Sequence, residues 1–150
     1  MSTYKRILVT TDLLPESRII VGRAGEVADL TQAELHVLHV ISPAYPQVLN
    51  LMENAHYMAQ VDIQEGAEEV VRAVKQGMHV LAKELAIDDA VFHVRHGYIQ
   101  DIIADLVHEL QLDLIVLGAH TRYGFKLFST TKSDKVLHAA SCDVLAVRVP

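Results

Sequence analysis

The chain reads as an α/β protein built on one open, twisted parallel sheet with helices on both faces. Three observations predict this class. Short apolar runs recur along the whole sequence, and each is followed by a segment of helical period. The runs are β-branched and apolar at nearly every position, as in strands covered on both faces, and they do not alternate as half-exposed strands do. The segments between them are long enough for crossover helices, which connect parallel strands with a right-handed turn. No composition break, repeat or low-complexity stretch interrupts the pattern, so residues 1–150 are expected to form one domain.

Each element has its own signal. "RILVT" is a short buried strand running from Arg6 to about Thr11 and ending at Asp12. In the following segment Ile20, Ala24, Val27 and Ala28 share one helical face, with Pro15 and Ser17 as start signals. "AELHVLHVIS" is the second strand, ending near Val40. "PAYPQVLNLMENAHY" has two prolines and no clean period, which predicts a long connection. From Met58 to Ala86 the apolar positions, among them Val70, Val71, Val74, Met78, Leu81 and Leu85, keep helical spacing. Gly66 and Gly77 are the points where that helix would bend or weaken.

"DAVFHVRHG" is the third strand, and Gly97 opens a helix whose Ile99, Ile102, Ile103, Leu106, Val107 and Leu110 recur at three and four. "LDLIVLGAH" is the fourth strand and "TTKSDKVLHAAS" a short helix. "CDVLAVRVP" is the fifth strand, stopped by Pro150.

Bulk properties exclude several function classes. A chain of 150 residues with 51% hydrophobic and 21% charged residues has the composition of a globular protein with a sizeable core. Its longest apolar stretches, such as Leu114 to Leu117, are far short of a membrane span, and the apolar run after Lys5 and Arg6 is too short for a secretory signal. A cytoplasmic location without membrane contact is therefore expected. The formal charge of −6 and the scattered basic residues argue against nucleic acid as a partner. The single cysteine, Cys142, reads as a reduced, half-buried thiol.

The stretch "GAHTRYGFKLFSTTKSDK", from Gly118 to Lys135, follows a buried strand and ends in hydroxyls at a helix start. Phosphate-binding loops sit at such places. Taken with Asp12 at the end of strand one, "HV" at His39 and Val40, and the tail "STTKSDKVLHAASCDVLAVR", it gives the chain a pattern that resembles the universal stress protein family. The resemblance covers essentially the whole chain. It implies a Rossmann-like sheet of strand order 3-2-1-4-5, a ligand crevice where strands one and four part, and, in many members, homodimers joined through the fifth strand, here Val144 to Val149.

Nucleotide-binding members of that family carry a G-x2-G-x9-G-(S/T) pattern, whose glycines let backbone N–H groups approach phosphates. Gly118 fills the first position, but Thr121 stands at the second. The spacing is then one residue shorter, which puts Thr130 at the third glycine and Thr131 at the hydroxyl. This sequence resembles the A-type members, which are generally held not to bind ATP. The resemblance implies a non-catalytic stress-response or interaction module with unidentified protein partners. The alternative is an ATP- or AMP-binding switch or weak ATPase, with Mg²⁺, using Asp12, Val40, Gly118, Thr130 and Thr131. Thr130 and Thr131 lie where helix N–H groups favour an anion, but the same positions suit simple N-capping.

Asp12 is either a ligand residue or a carboxylate that closes the turn into the first helix. His120, beside Gly118, reads as a solvated loop histidine without a visible partner. The pairs His36/His39 and His93/His96 suggest metal ligands, but residues three apart on a strand face opposite ways, so neither pair can chelate one ion. HExxH, GxSxG, CxxC and Walker A signatures are missing from the sequence, and no enzyme is indicated.

Overall fold

The computed structural model describes residues 3–41, 59–120 and 140–150. Five strands and three helices alternate through them: β1 Arg6–Thr10, α1 Ser17–Thr31, β2 Glu34–Ile41, α2 Ala59–Glu84, β3 Val91–His96, α3 Ile99–Glu109, β4 Leu114–His120 and β5 Asp143–Val149. The expected strands all form, with ends within a few residues of those read from the sequence. Two expectations lie outside the described residues: the connection after β2 and the short helix before β5.

All strand pairs are parallel, and the sheet has the order β3-β2-β1-β4-β5. Strand alternation divides the core in two. Ile7 and Val9 of β1, Val37 of β2 and Val116 of β4 face α1 and α2, where Ile20, Val21, Ala24, Met78 and Leu81 cover them. Leu8, Leu38 and Ile115 face the other way, onto Ile103, Leu106 and Val107 of α3. Both faces are apolar because both are covered, which explains the unbroken hydrophobic runs.

Packing matters more than capping for α1. Its N-cap, Glu16, makes no side-chain cap bond, and the hydroxyl of Ser17 donates back to the Leu14 carbonyl at 2.7 Å. A missing cap costs about 1 kcal/mol, whereas each large apolar side chain buried contributes roughly 1.5–3 kcal/mol. With Ile20, Val21, Ala24 and Ala28 all buried, the stripe decides the helix. Helix α2 runs through Gly66 and Gly77 as one helix, where the sequence suggested a weak point. Gly97 has a structural duty of its own. Its φ of 141° is a conformation that side chains rarely adopt, and it turns the chain from β3 into α3 while its N–H donates to the Ile41 carbonyl at 3.1 Å.

The start of the sheet is tied by one carboxylate. Asp113, just before β4, accepts from the backbone N–H groups of Lys5 at 2.8 Å and Arg6 at 3.1 Å, and so aligns β1 with β4. Asp113→Ala removes both bonds and should lower stability by about 1–3 kcal/mol, read as a shift of the urea midpoint at unchanged slope.

Candidate functional site

The site follows from unequal strand lengths. β1 makes its last pair with β2 at Thr10↔Leu38 and with β4 at Val9↔Val116. Its neighbours run on, β2 to Ile41 and β4 to His120. A crevice therefore opens at the carboxyl end of the central strand, where the strand order reverses, the position at which open α/β sheets bind ligands.

The chain leaves β1 through a strained turn. Leu13 has φ 63°, an uncommon backbone state for a non-glycine residue, and its N–H donates to the Thr11 hydroxyl at 3.0 Å. In a continued parallel ladder that N–H would donate to the Val40 carbonyl, because Thr11 N–H donates to the Leu38 carbonyl at 2.9 Å and the even residues of β2 face β1. The left-handed Leu13 thus diverts the donor and leaves the Val40 carbonyl facing the crevice from beyond the last β1 pair. Strain of this kind costs about 1–3 kcal/mol and is concentrated at functional positions.

Asp12 lies at this turn, exposed, with its Oδ1 accepting from the Leu14 N–H at 2.9 Å. That bond closes the turn into α1. His39, weighed in the sequence as part of the family pattern and as a metal ligand, has a different contact. Its Nδ1 lies 2.8 Å from the Thr11 carbonyl, which can only accept, so Nδ1 carries the proton. It holds the end of β1 against β2 at the crevice floor. Nothing in the local sequence separates it from the other strand histidines.

Gly118 belongs to β4, paired with Val147, and its absent side chain has a packing reason. A Cβ there would overlap Cδ1 of Ile20 on α1 and sit 3.2 Å from its Cγ1. Helix α1 lies on β4 at this point, so the glycine makes room for a helix. The backbone of His120 ends β4 opposite Val149. Thr121, Thr130 and Thr131 lie outside the described residues. The structure thus places Asp12, Val40 and Gly118 at the carboxyl ends of three adjacent strands.

A second polar cluster lies on the α3 side of the sheet. His36, only 2% exposed, places Nδ1 at 2.9 Å from His93 Nε2 on the neighbouring strand, with ring centroids 5.2 Å apart. Glu34 Oε1 approaches His36 Nε2 at 2.7 Å. The contact is an ion-pair approach and not a hydrogen bond, and Nε2 is buried with no hydrogen-bond partner among the described residues. Burial first, then the charges of His36 and Arg95, holds His93 below the ordinary histidine value, while Glu109 pulls the other way. His39 faces the opposite side of the sheet from His36, as alternation requires. Among the described residues no group of three or more His, Cys, Asp or Glu side chains is placed to hold a metal ion. Burial pushes the Cys142 thiol up, so little thiolate forms near neutrality.

A doubly wound sheet of this order, with its crevice at the switch point, defines an α/β protein of the Rossmann-like kind. The chain belongs to the universal stress protein family, whose model matches residues 3–148. "Universal stress protein A homolog 1" of Coxiella burnetii is 33% identical over 147 residues, covering 96% of each chain. Among solved structures, a universal stress protein in complex with cAMP superposes with a TM-score of 0.63 at 21% identity, covering 98% of both chains. The universal stress protein from Archaeoglobus fulgidus in complex with dAMP gives a TM-score of 0.59 at 19% identity, covering 97% of this chain and 98% of that one. No helix among the described residues is long and apolar enough to cross a membrane.

The packing reading of Gly118 has a direct test. Gly118→Ala should destabilise the protein by about 1–3 kcal/mol through overpacking. Ile20→Val removes the obstructing Cδ1, so the double variant should recover part of that loss in a urea double-mutant cycle.

Proposed function

We propose that this universal stress protein is a non-catalytic, cytoplasmic, single-domain stress-response module that works by contact with other proteins as a homodimer. The observation that carries the non-catalytic reading is the state of the crevice residues. The Gly118 space is filled by Ile20, and Asp12 Oδ1 is engaged by the Leu14 N–H. Neither is arranged as a nucleophile, base or phosphate cradle, and the loop sequence replaces two of the family's three glycines by Thr121 and Thr130. The scattered basic residues and the charge of −6 give no reason to add nucleic acid to the partners.

Dimerisation draws on β5, which ends the sheet order. Val144 and Leu145 on it are only partly buried. An apolar edge strand of this kind pairs readily with another copy through its outer backbone groups. The interface runs from Val144 to Val149.

A second reading, an ATP- or AMP-binding switch or weak ATPase with Mg²⁺, draws on the Val40 carbonyl at the crevice and on the cAMP and dAMP bound by structural neighbours. In that reading Val40 meets the base edge through its backbone. Asp12 lies beside the ligand, and Gly118, His120, Thr121, Thr130 and Thr131 belong to the phosphate side.

Calorimetry with ATP and with AMP, each with and without Mg²⁺, separates the two. The module reading expects a Kd weaker than about 1 mM, equivalent to less than about 4 kcal/mol of binding. A micromolar Kd that weakens in Asp12→Ala and Thr131→Ala would establish the switch instead. For the dimer, light scattering at micromolar concentration should give about twice the chain mass of 16.6 kDa. Ala146→Asp on the β5 edge should shift it toward the monomer with an unchanged far-UV spectrum, and a monomeric wild type would reject the interface.

A further inference from the structure

Two imidazole nitrogens that face each other at hydrogen-bond distance can share one proton but not hold two. His36 Nδ1 and His93 Nε2 are such a pair, 2.9 Å apart across β2 and β3. With the Glu34 carboxylate 2.7 Å from His36 Nε2, the proton of neutral His36 is favoured on Nε2. His36 Nδ1 then accepts, and His93 Nε2–H donates. One added proton leaves the contact intact, because a single hydrogen still lies between the two facing nitrogens. A second leaves both facing nitrogens protonated, which would set two N–H groups against each other inside the sheet.

We propose that the His36–His93 contact is an acid-sensitive latch that holds edge strand β3 on β2, closed while the pair carries at most one extra proton and released when both facing nitrogens are protonated. The position suits such a role. His36 is almost wholly buried and His93 half-buried, so the charge has no easy access to water. Among the described residues, the charged groups acting on the pair are Glu34 on β2, Arg95 on β3 and Glu109 on α3, with Arg95 and Glu109 paired to each other at 3.6 Å, while Lys75 and His79 of α2 line the same pocket as His93. The opposing charges of Arg95 and Glu109 are thus largely matched, and Glu34 is the carboxylate left beside His36. β3 has a strand neighbour on one side in the sheet order, so a weakened seam with β2 frees an edge and not the centre of the sheet.

The sign follows from linkage. His93 is held below its ordinary value of 6.5 in the folded state. Its stabilising contribution is therefore fully present above that value and is lost as pH falls through the lower folded one.

Amide hydrogen exchange on the intact protein reads the latch directly, with a control in the same sheet. The Gly97 N–H bonds Ile41 across the β3 side of β2, and the Thr11 N–H bonds Leu38 across the β1 side. Between about pH 7 and about pH 5 the Gly97 protection factor, corrected for intrinsic rate, should fall about tenfold more than that of Thr11. His93→Gln keeps a donor and acceptor but cannot titrate, and should abolish the difference. An equal fall at both amides, or the same selective fall in His93→Gln, would overturn the proposal. Ring-nitrogen NMR titration of the wild type gives a check that needs no variant: one proton should be taken up before β3 exchange rises and the second together with it. Uptake of two protons with β3 protection unchanged would reject the latch.

Discussion

The structure depends on the early end of its central strand. β1 is five residues long, between neighbours of eight and seven, and Ile7, Leu8 and Val9 are each fully buried. A strand in that position must satisfy two cores at once, which the alternation of three side chains achieves. When it stops at Thr10, the sheet around it does not, and a crevice forms without any residue being dedicated to making one.

The turn that ends β1 shapes that gap. Leu13 takes up a left-handed conformation, its N–H is drawn to Thr11, and Asp12 secures Leu14. These local bonds stabilise a strained connection and at the same time deny the Val40 carbonyl its ladder donor. The floor is then held by His39 on the Thr11 carbonyl. Polar groups at the crevice thus serve the fold first, which is why their presence alone does not define a nucleotide site.

Much of the fold was legible because its signals are local and physical. Continuous apolar runs mark strands covered on both faces, and three-and-four spacing marks α3, where Ile103, Leu106 and Val107 are buried as the pattern requires. Helix ends were harder to read, since α1 begins by packing rather than by a side-chain cap. The strand order came from resemblance, not from periodicity, because a period says which residues face inward and nothing about which strand lies beside which.

Sequence by itself determined the class of fold and the described elements in order, because hydrophobic period and strand ends are properties of short segments. Tertiary structure alone decided what individual residues do. Gly118 looked like the first glycine of a phosphate loop, but the reason it lacks a side chain is Ile20, 98 positions earlier in the chain (118 − 20). His36 and His93, 57 positions apart, were weighed with the wrong partners, since a strand's own neighbours point away while the adjacent strand supplies the contact. Close approach across a sheet follows from register and packing, and no spacing along the chain encodes it.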